Sequence, residues 1–144
     1  MSDQTLKLIA AGVVLVHGLG HGGAVAALAW IRFRPGTLTG GWLAARSWLF
    51  PSLPRDAAAT IASTFWIASL VGFVIAAMSF WGVIVPADVW RPLAVASALV
   101  SVAGIVLFFG TWPTFNTLAA LGVNLAVLVA VVWLHWPPQA VHGT

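Results

Sequence analysis

Between Lys7 and Arg32, between Asp56 and Asp88, and from Pro92 to Thr144, the chain carries no Asp, Glu, Lys or Arg. Charged residues make up 6% of the sequence, against about 25% in an ordinary water-soluble domain. Divided at its prolines and arginines, the sequence falls into four apolar runs, about 6–30, 57–85, 91–110 and 115–136. A helix rising about 1.5 Å per residue crosses a hydrocarbon layer of about 30 Å in roughly 20 residues, whereas a barrel strand needs only about 10. The runs have the helical length. Water is absent from such a layer, so the backbone must satisfy its own hydrogen bonds, which a helix does. The sequence therefore predicts an all-α polytopic membrane protein. Its expected form is one domain over residues 1–144, a four-transmembrane-helix antiparallel bundle with an interfacial segment between helices 1 and 2.

Local signals set the expected boundaries. Arg32, Arg34 and Pro35-Gly36 end the first span. The connector 31–56 carries Trp42, Leu43, Trp48, Leu49 and Phe50 together with Arg46, a mixture that fits an amphipathic segment at the membrane surface or an ordered loop with aromatic anchors. Asp56 is a candidate N-cap for span two and Pro86 closes it. The turn from Pro86 to Pro92 is short enough to make spans two and three antiparallel neighbours. Thr114 is a candidate cap for span four, and Pro137-Pro138 ends it. Met1 to Thr5 lacks the basic region of a cleaved signal peptide, so the first helix is expected to be retained.

Arg32, Arg34, Arg46 and Arg55 all fall in the connector, against Lys7 and Arg91 on the opposite side. Positive charge favours the cytoplasmic side, which places the connector inside and both termini outside the cell inner (plasma) membrane. Trp30, Trp42, Trp48 and Trp112 then mark one boundary and Trp81, Trp90, Trp133 and Trp136 the other, with Trp66 at mid-depth. The basic pI of about 11.4 reflects a scarcity of acids and gives no reason to expect nucleic acid; the partner implied is the lipid bilayer. With no cysteine, disulfides, thiolate metal sites and cysteine nucleophiles are excluded.

Within the first run, His17-Gly18-Leu19-Gly20-His21 sets two imidazoles just over one helical turn apart, one above the other on a single face. Gly18, Gly22 and Ala26 repeat at the small-residue spacing that lets a neighbouring helix approach closely. Counting depth along alternating helices puts His17 and His21 level with Ser69, Trp66, Ser101 and Asn124. Small and polar stripes occur at Ser69, Gly72, Ala76 and Ser79, at Ser97, Ser101 and Gly104, and at Asn116, Ala120 and Asn124.

An ionisable side chain at this depth is a functional-site candidate. One reading is packing, with His, Asn and Ser hydrogen-bonding between helices. A second is a transition metal gripped by His17 and His21, although no intramembrane carboxylate, cysteine or third histidine at that depth completes a four-ligand site. A third is haem or chlorophyll-type ligation by one histidine, with His135 far from the layer. A fourth is a pocket for a quinone, sterol or other lipid-like molecule, using the histidines, Asn124 and Trp66 as its polar and aromatic lining. A proton path would want an intramembrane carboxylate, and an enzyme would want a nucleophile–base pair; neither is present, so catalysis is not favoured. His142 lies in a short tail without an evident role. Two functions follow: a small-molecule binding protein, alone or as a homo-oligomer, with its site at His17, His21, Ser69, Trp66, Ser101 and Asn124, or a non-catalytic accessory subunit of a larger membrane complex.

The segment Val-His17-Gly-Leu-Gly-His21-Gly-Gly resembles the His-Gly-Leu-x-His first helix of many small bacterial four-helix membrane proteins. Length and layout also resemble the DoxX-like group. The resemblance implies a bacterial four-helix membrane protein and no particular activity.

Overall fold

The computed structural model describes residues 2–33 and 45–138, and it is all-helical there, without strands. Four helices are long and apolar enough to cross a membrane. They are α1 (Asp3–Phe33), α2 (Arg55–Ser79), α3 (Trp90–Leu107) and α4 (Thr114–Leu128), the last continued by a π-helical turn, Val129–Trp133. Arg34, Pro35-Gly36, Trp42 and Leu43 of the connector, and the tail from Gln139 with His142, lie outside the described residues.

Each helix is bounded by recognisable chemistry, though not always at the expected residue. Ser2 caps α1, its Oγ accepting the Thr5 backbone N–H at 3.2 Å. Helix α2 starts at Arg55 from a Pro54 N-cap, and α4 starts at Thr114 from Pro113. The expected caps Asp56 and Thr114 are thus inside their helices. Asp56 still sits in the first turn, where its charge complements the helix dipole. Span two ends at Ser79 rather than Val85. Gly82 adopts φ +64°, its N–H reaches Ser79 O at 2.9 Å, and the Val83 N–H reaches Met78 O at 3.3 Å. That pairing is a Schellman cap with glycine at its left-handed position, and it overrides the apolar run that continues to Val85. Helix α3 likewise ends at Leu107, before Gly110 at φ +86°. The expected end of span four at Trp136 moves to Trp133, where the π turn closes.

Ala45–Pro54 of the connector form no helix. The loop alternative therefore describes this part: Ala45 and Ser47 are buried while Trp48, Leu49 and Phe50 are exposed. Trp48 Nε1 donates to Val106 O at the end of α3. At the other end, Arg91 Nη2 donates to the carbonyls of His135 (3.0 Å) and Pro137, tying the start of α3 to the chain beyond α4. Trp90, the first residue of α3, is buried against Phe80 with ring centroids 4.5 Å apart.

Helix α1 packs on α2, α2 on α3 and α3 on α4. Glycines set the closeness of these contacts. A Cβ on Gly18 would fall 2.8 Å from Phe73 Cβ, and one on Gly104 would fall 2.8 Å from Phe65 Cβ, so backbone and side chain meet with no room for a methyl group. The Gly18/Gly22 groove does receive α2, whereas Ala26 is exposed. Two apolar clusters fill the interior. One gathers Ala10, Val14, Phe73, Phe80, Trp90, Ala98 and Val131; the other gathers Leu28, Ala45, Ala58, Ala62, Trp66 and Phe108.

Replacing Gly104 with alanine is expected to destabilise the bundle by about 1–3 kcal/mol through overpacking against Phe65. Gly122→Ala, where a Cβ meets nothing within 4 Å, should be neutral or stabilising through helix propensity. Thermal unfolding of both variants in the same detergent tests the contrast; equal midpoints would refute the close α2–α3 contact.

Candidate functional site

Hydroxyls on apolar helices can be satisfied locally by the carbonyl four residues back. Thr60 donates to Asp56 O at 2.8 Å, Thr64 to Thr60 O at 3.0 Å, Ser69 to Phe65 O at 2.8 Å and Ser97 to Leu93 O at 2.7 Å. Ser69 thus gives its hydroxyl hydrogen to its own helix, and it makes no hydrogen bond to either histidine.

The remaining polar groups of the layer do come together, between the two apolar clusters. Asn124 and Ser101 are fully buried and His21 is 6% exposed. Asn124 Nδ2 donates to Ser101 Oγ at 2.7 Å. Asn124 Oδ1 lies 3.0 Å from His17 Nε2, and an amide oxygen only accepts, so His17 donates through Nε2. Ser101 Oγ lies 3.0 Å from His21 Nε2. One continuous chain thus runs His17–Asn124–Ser101–His21 across α1, α4 and α3. Phe73 of α2 packs on both imidazoles, parallel to His21 at 6.1 Å and edge-on to His17 at 5.0 Å. The histidine rings themselves meet edge-on at 5.0 Å.

Beside this chain the bundle is open. Helices α1 and α4 scarcely meet, and a cavity of about 850 Å³ occupies the seam between them. Val13, Val16, His17, Gly20 and His21 line one wall, while Phe115, Asn116, Ala120 and Val123 line the other. Trp66, Ile105, Phe108 and Trp112 also line it. Trp66 thus borders the cavity; its ring packs on Trp112 at 5.4 Å and clusters with Leu28 and Phe108. Gly12, Gly20 and Gly23 face open space where a side chain would be, so these glycines widen the cleft on the α1 side.

Phe73, Ile105 and the cleft glycines were not expected as site residues. The HxxxH spacing gave no reason to look for a phenylalanine on α2, although a bulky residue opposite Gly18 was a foreseeable consequence of that gap. For a metal, the set is thin. Both Nε2 atoms are engaged in the hydrogen-bonded chain, and no group of three His, Cys, Asp or Glu side chains occurs among the described residues. His135 is remote, its Nδ1 lying 3.2 Å from Trp133 O.

Asn124→Leu is expected to cost about 1–3 kcal/mol by leaving the His17 donor and the Ser101 hydroxyl unpaired. Ser69→Ala, losing only a bond within its own helix, should cost distinctly less. Combining Asn124→Leu with Ser101→Ala should be non-additive, since both interrupt one chain; strict additivity in unfolding measurements would dissolve the network. No protein-family model, curated protein or solved structure matches the chain.

Proposed function

We propose that the chain is a small bacterial inner-membrane protein that binds an apolar small molecule in the cleft between α1 and α4. In this reading four antiparallel spans cross the bilayer, with both termini outside and the arginine-rich connector cytoplasmic. The antiparallel pairing of the first two spans is supported by Gly18 lying against Phe73 while Gly22 lies against Leu70. The observation that carries the function is the pairing of an apolar cavity of drug-like size with two imidazoles at one patch of its wall. Val13, Val16, Phe115 and Val123 supply an apolar lining for a lipid-like body, and His17 and His21 supply the polar contacts, held in place by Asn124 and Ser101. Trp66 contributes aromatic wall. A quinone, sterol or other lipid-like ligand suits this lining better than a metal or haem, because the lining is mostly apolar and no third His, Cys, Asp or Glu joins the two histidines among the described residues. We therefore read the site as one for binding.

A second reading has one specific support. The cleft is open along the α1–α4 seam and rich in small residues, which a helix of another subunit would also cover. The chain would then be an accessory subunit of a larger complex.

Purification in mild detergent, followed by native mass spectrometry, lipid extraction and an absorption spectrum, separates these functions. The binding reading expects about one small molecule per chain and no Soret band. Gly20→Leu, whose Cβ meets nothing within 4 Å, should lose that molecule while melting no lower than the ligand-stripped wild-type chain. Co-elution with a larger assembly, and no retained molecule, would replace binding with the subunit reading.

A further inference from the structure

We propose that the polar end of the cleft is built to hold a single hydroxyl group, so that its occupant is a membrane-soluble alcohol. The inference rests on reading the cleft as a ligand site and adds the chemistry of the ligand's head.

It follows from the direction of the hydrogen-bonded chain. Asn124 and Ser101 are fully buried, so water cannot supply a missing partner, and an unpaired group there would be costly. Asn124 turns its acceptor to His17 and its donor to Ser101. Ser101 Oγ, having accepted from Asn124, spends its own hydrogen on His21 Nε2. For two neutral imidazoles, the tautomers are then fixed and opposite. His17 carries its hydrogen on Nε2 and has a bare Nδ1; His21 has a bare Nε2 and carries its hydrogen on Nδ1. Turning the Asn124 amide over reverses every link and exchanges the two roles. In either direction the pair offers one Nδ1 that donates and one that accepts.

These two Nδ1 atoms make no hydrogen bond among the described residues and are not sealed from the surface, while both rings line the cavity. Phe73, itself fully buried, holds the rings from behind. One oxygen making two hydrogen bonds of about 2.8 Å at a tetrahedral angle links atoms roughly 4.6 Å apart; with centroids 5.0 Å apart and planes at 77°, the two rings are close enough neighbours for one small polar group to reach both. A hydroxyl can accept from one Nδ1–H and donate to the other Nδ1 through the same oxygen. A quinone, ester or ether oxygen only accepts and leaves one ring nitrogen unpaired. A carboxylate also only accepts, and brings a charge into apolar surroundings.

The test uses the intact chain in phosphatidylcholine nanodiscs containing equal amounts of hexadecanol and its methyl ether, with bound probe counted by native mass spectrometry. The alcohol should be preferred by about tenfold, the cost of one unpaired buried group. Equal binding of alcohol and ether would overturn the hydroxyl inference and leave the cleft reading standing. Binding of neither probe would overturn both. Nitrogen NMR of ring-labelled histidine, with His135→Gln and His142→Gln used to assign the remaining signals, needs no change in the site. It should find His17 and His21 as opposite neutral tautomers; the same tautomer at both would also overturn the proposal.

Discussion

A buried side-chain amide has to find both a donor and an acceptor, and in Asn124 that requirement reaches three helices at once. Serine and threonine escape the problem, because one hydroxyl can return to the carbonyl four residues back, as Thr60, Thr64, Ser69 and Ser97 do. Asparagine at mid-helix has no such local solution for both of its groups. Its oxygen meets His17 on α1 and its nitrogen meets Ser101 on α3. The amide therefore specifies how α4 is rotated and at what height it stands, much as a single buried asparagine fixes register in a coiled coil. Apolar contacts alone would leave that choice loose. Leu, Val and Ala side chains are interchangeable over small slides, whereas a chain of hydrogen bonds closing at 2.7 to 3.0 Å is not.

Glycine serves two opposite purposes on the same helix. At Gly18 the missing side chain admits Phe73, which seats α2 and supports both imidazoles from behind. At Gly12, Gly20 and Gly23 it leaves space unfilled, and that space is part of the cleft. A helix whose small residues all faced one neighbour would read as a docking surface. Here Gly18 and Gly22 face α2 while the other three face the seam, so α1 is both the packing core of one side and the wall of a cavity on the other. The exposure of Val13 and Val16 on the same seam is the cost of leaving it open.

Much of this was legible in the residues themselves. The absence of charge marked the helical runs, and counting along alternating helices put His17, His21, Ser101 and Asn124 in one layer; these four do meet, in one hydrogen-bonded chain. Boundaries were less legible because apolarity does not distinguish a helix from the turn that ends it. Gly82 carried the needed signal: a glycine near the end of an apolar run can take the left-handed cap position, and it does so at φ +64°. Ser69 was expected in the same polar layer, but its hydroxyl bonds to its own helix, since counting along a helix does not tell a hydroxyl that bonds across helices from one that bonds within its own. Trp66 does line the cavity with the histidines, but what its ring packs on was not legible. A large ring packs where a complementary gap exists, and that gap lay beside Trp112 and Leu28. The cavity could not be read from spacing, because it depends on α1 and α4 failing to close.

That failure to close and the polar chain belong to one design. The chain consumes one nitrogen from each imidazole and, by running in a single direction, leaves the other two nitrogens unlike each other. Had α1 and α4 packed tightly, those nitrogens would be sealed in an apolar interior without partners, at the penalty that any unpaired buried polar group carries. Had the seam held leucines in place of Gly20 and Ala120, the bundle would gain apolar burial and lose access to the histidines. The observed arrangement forgoes that burial and keeps a donor and an acceptor at the edge of an otherwise apolar slot. A molecule that satisfies both and fills the slot stabilises the form of the bundle that binds it, so occupancy and folding are coupled through the same four side chains.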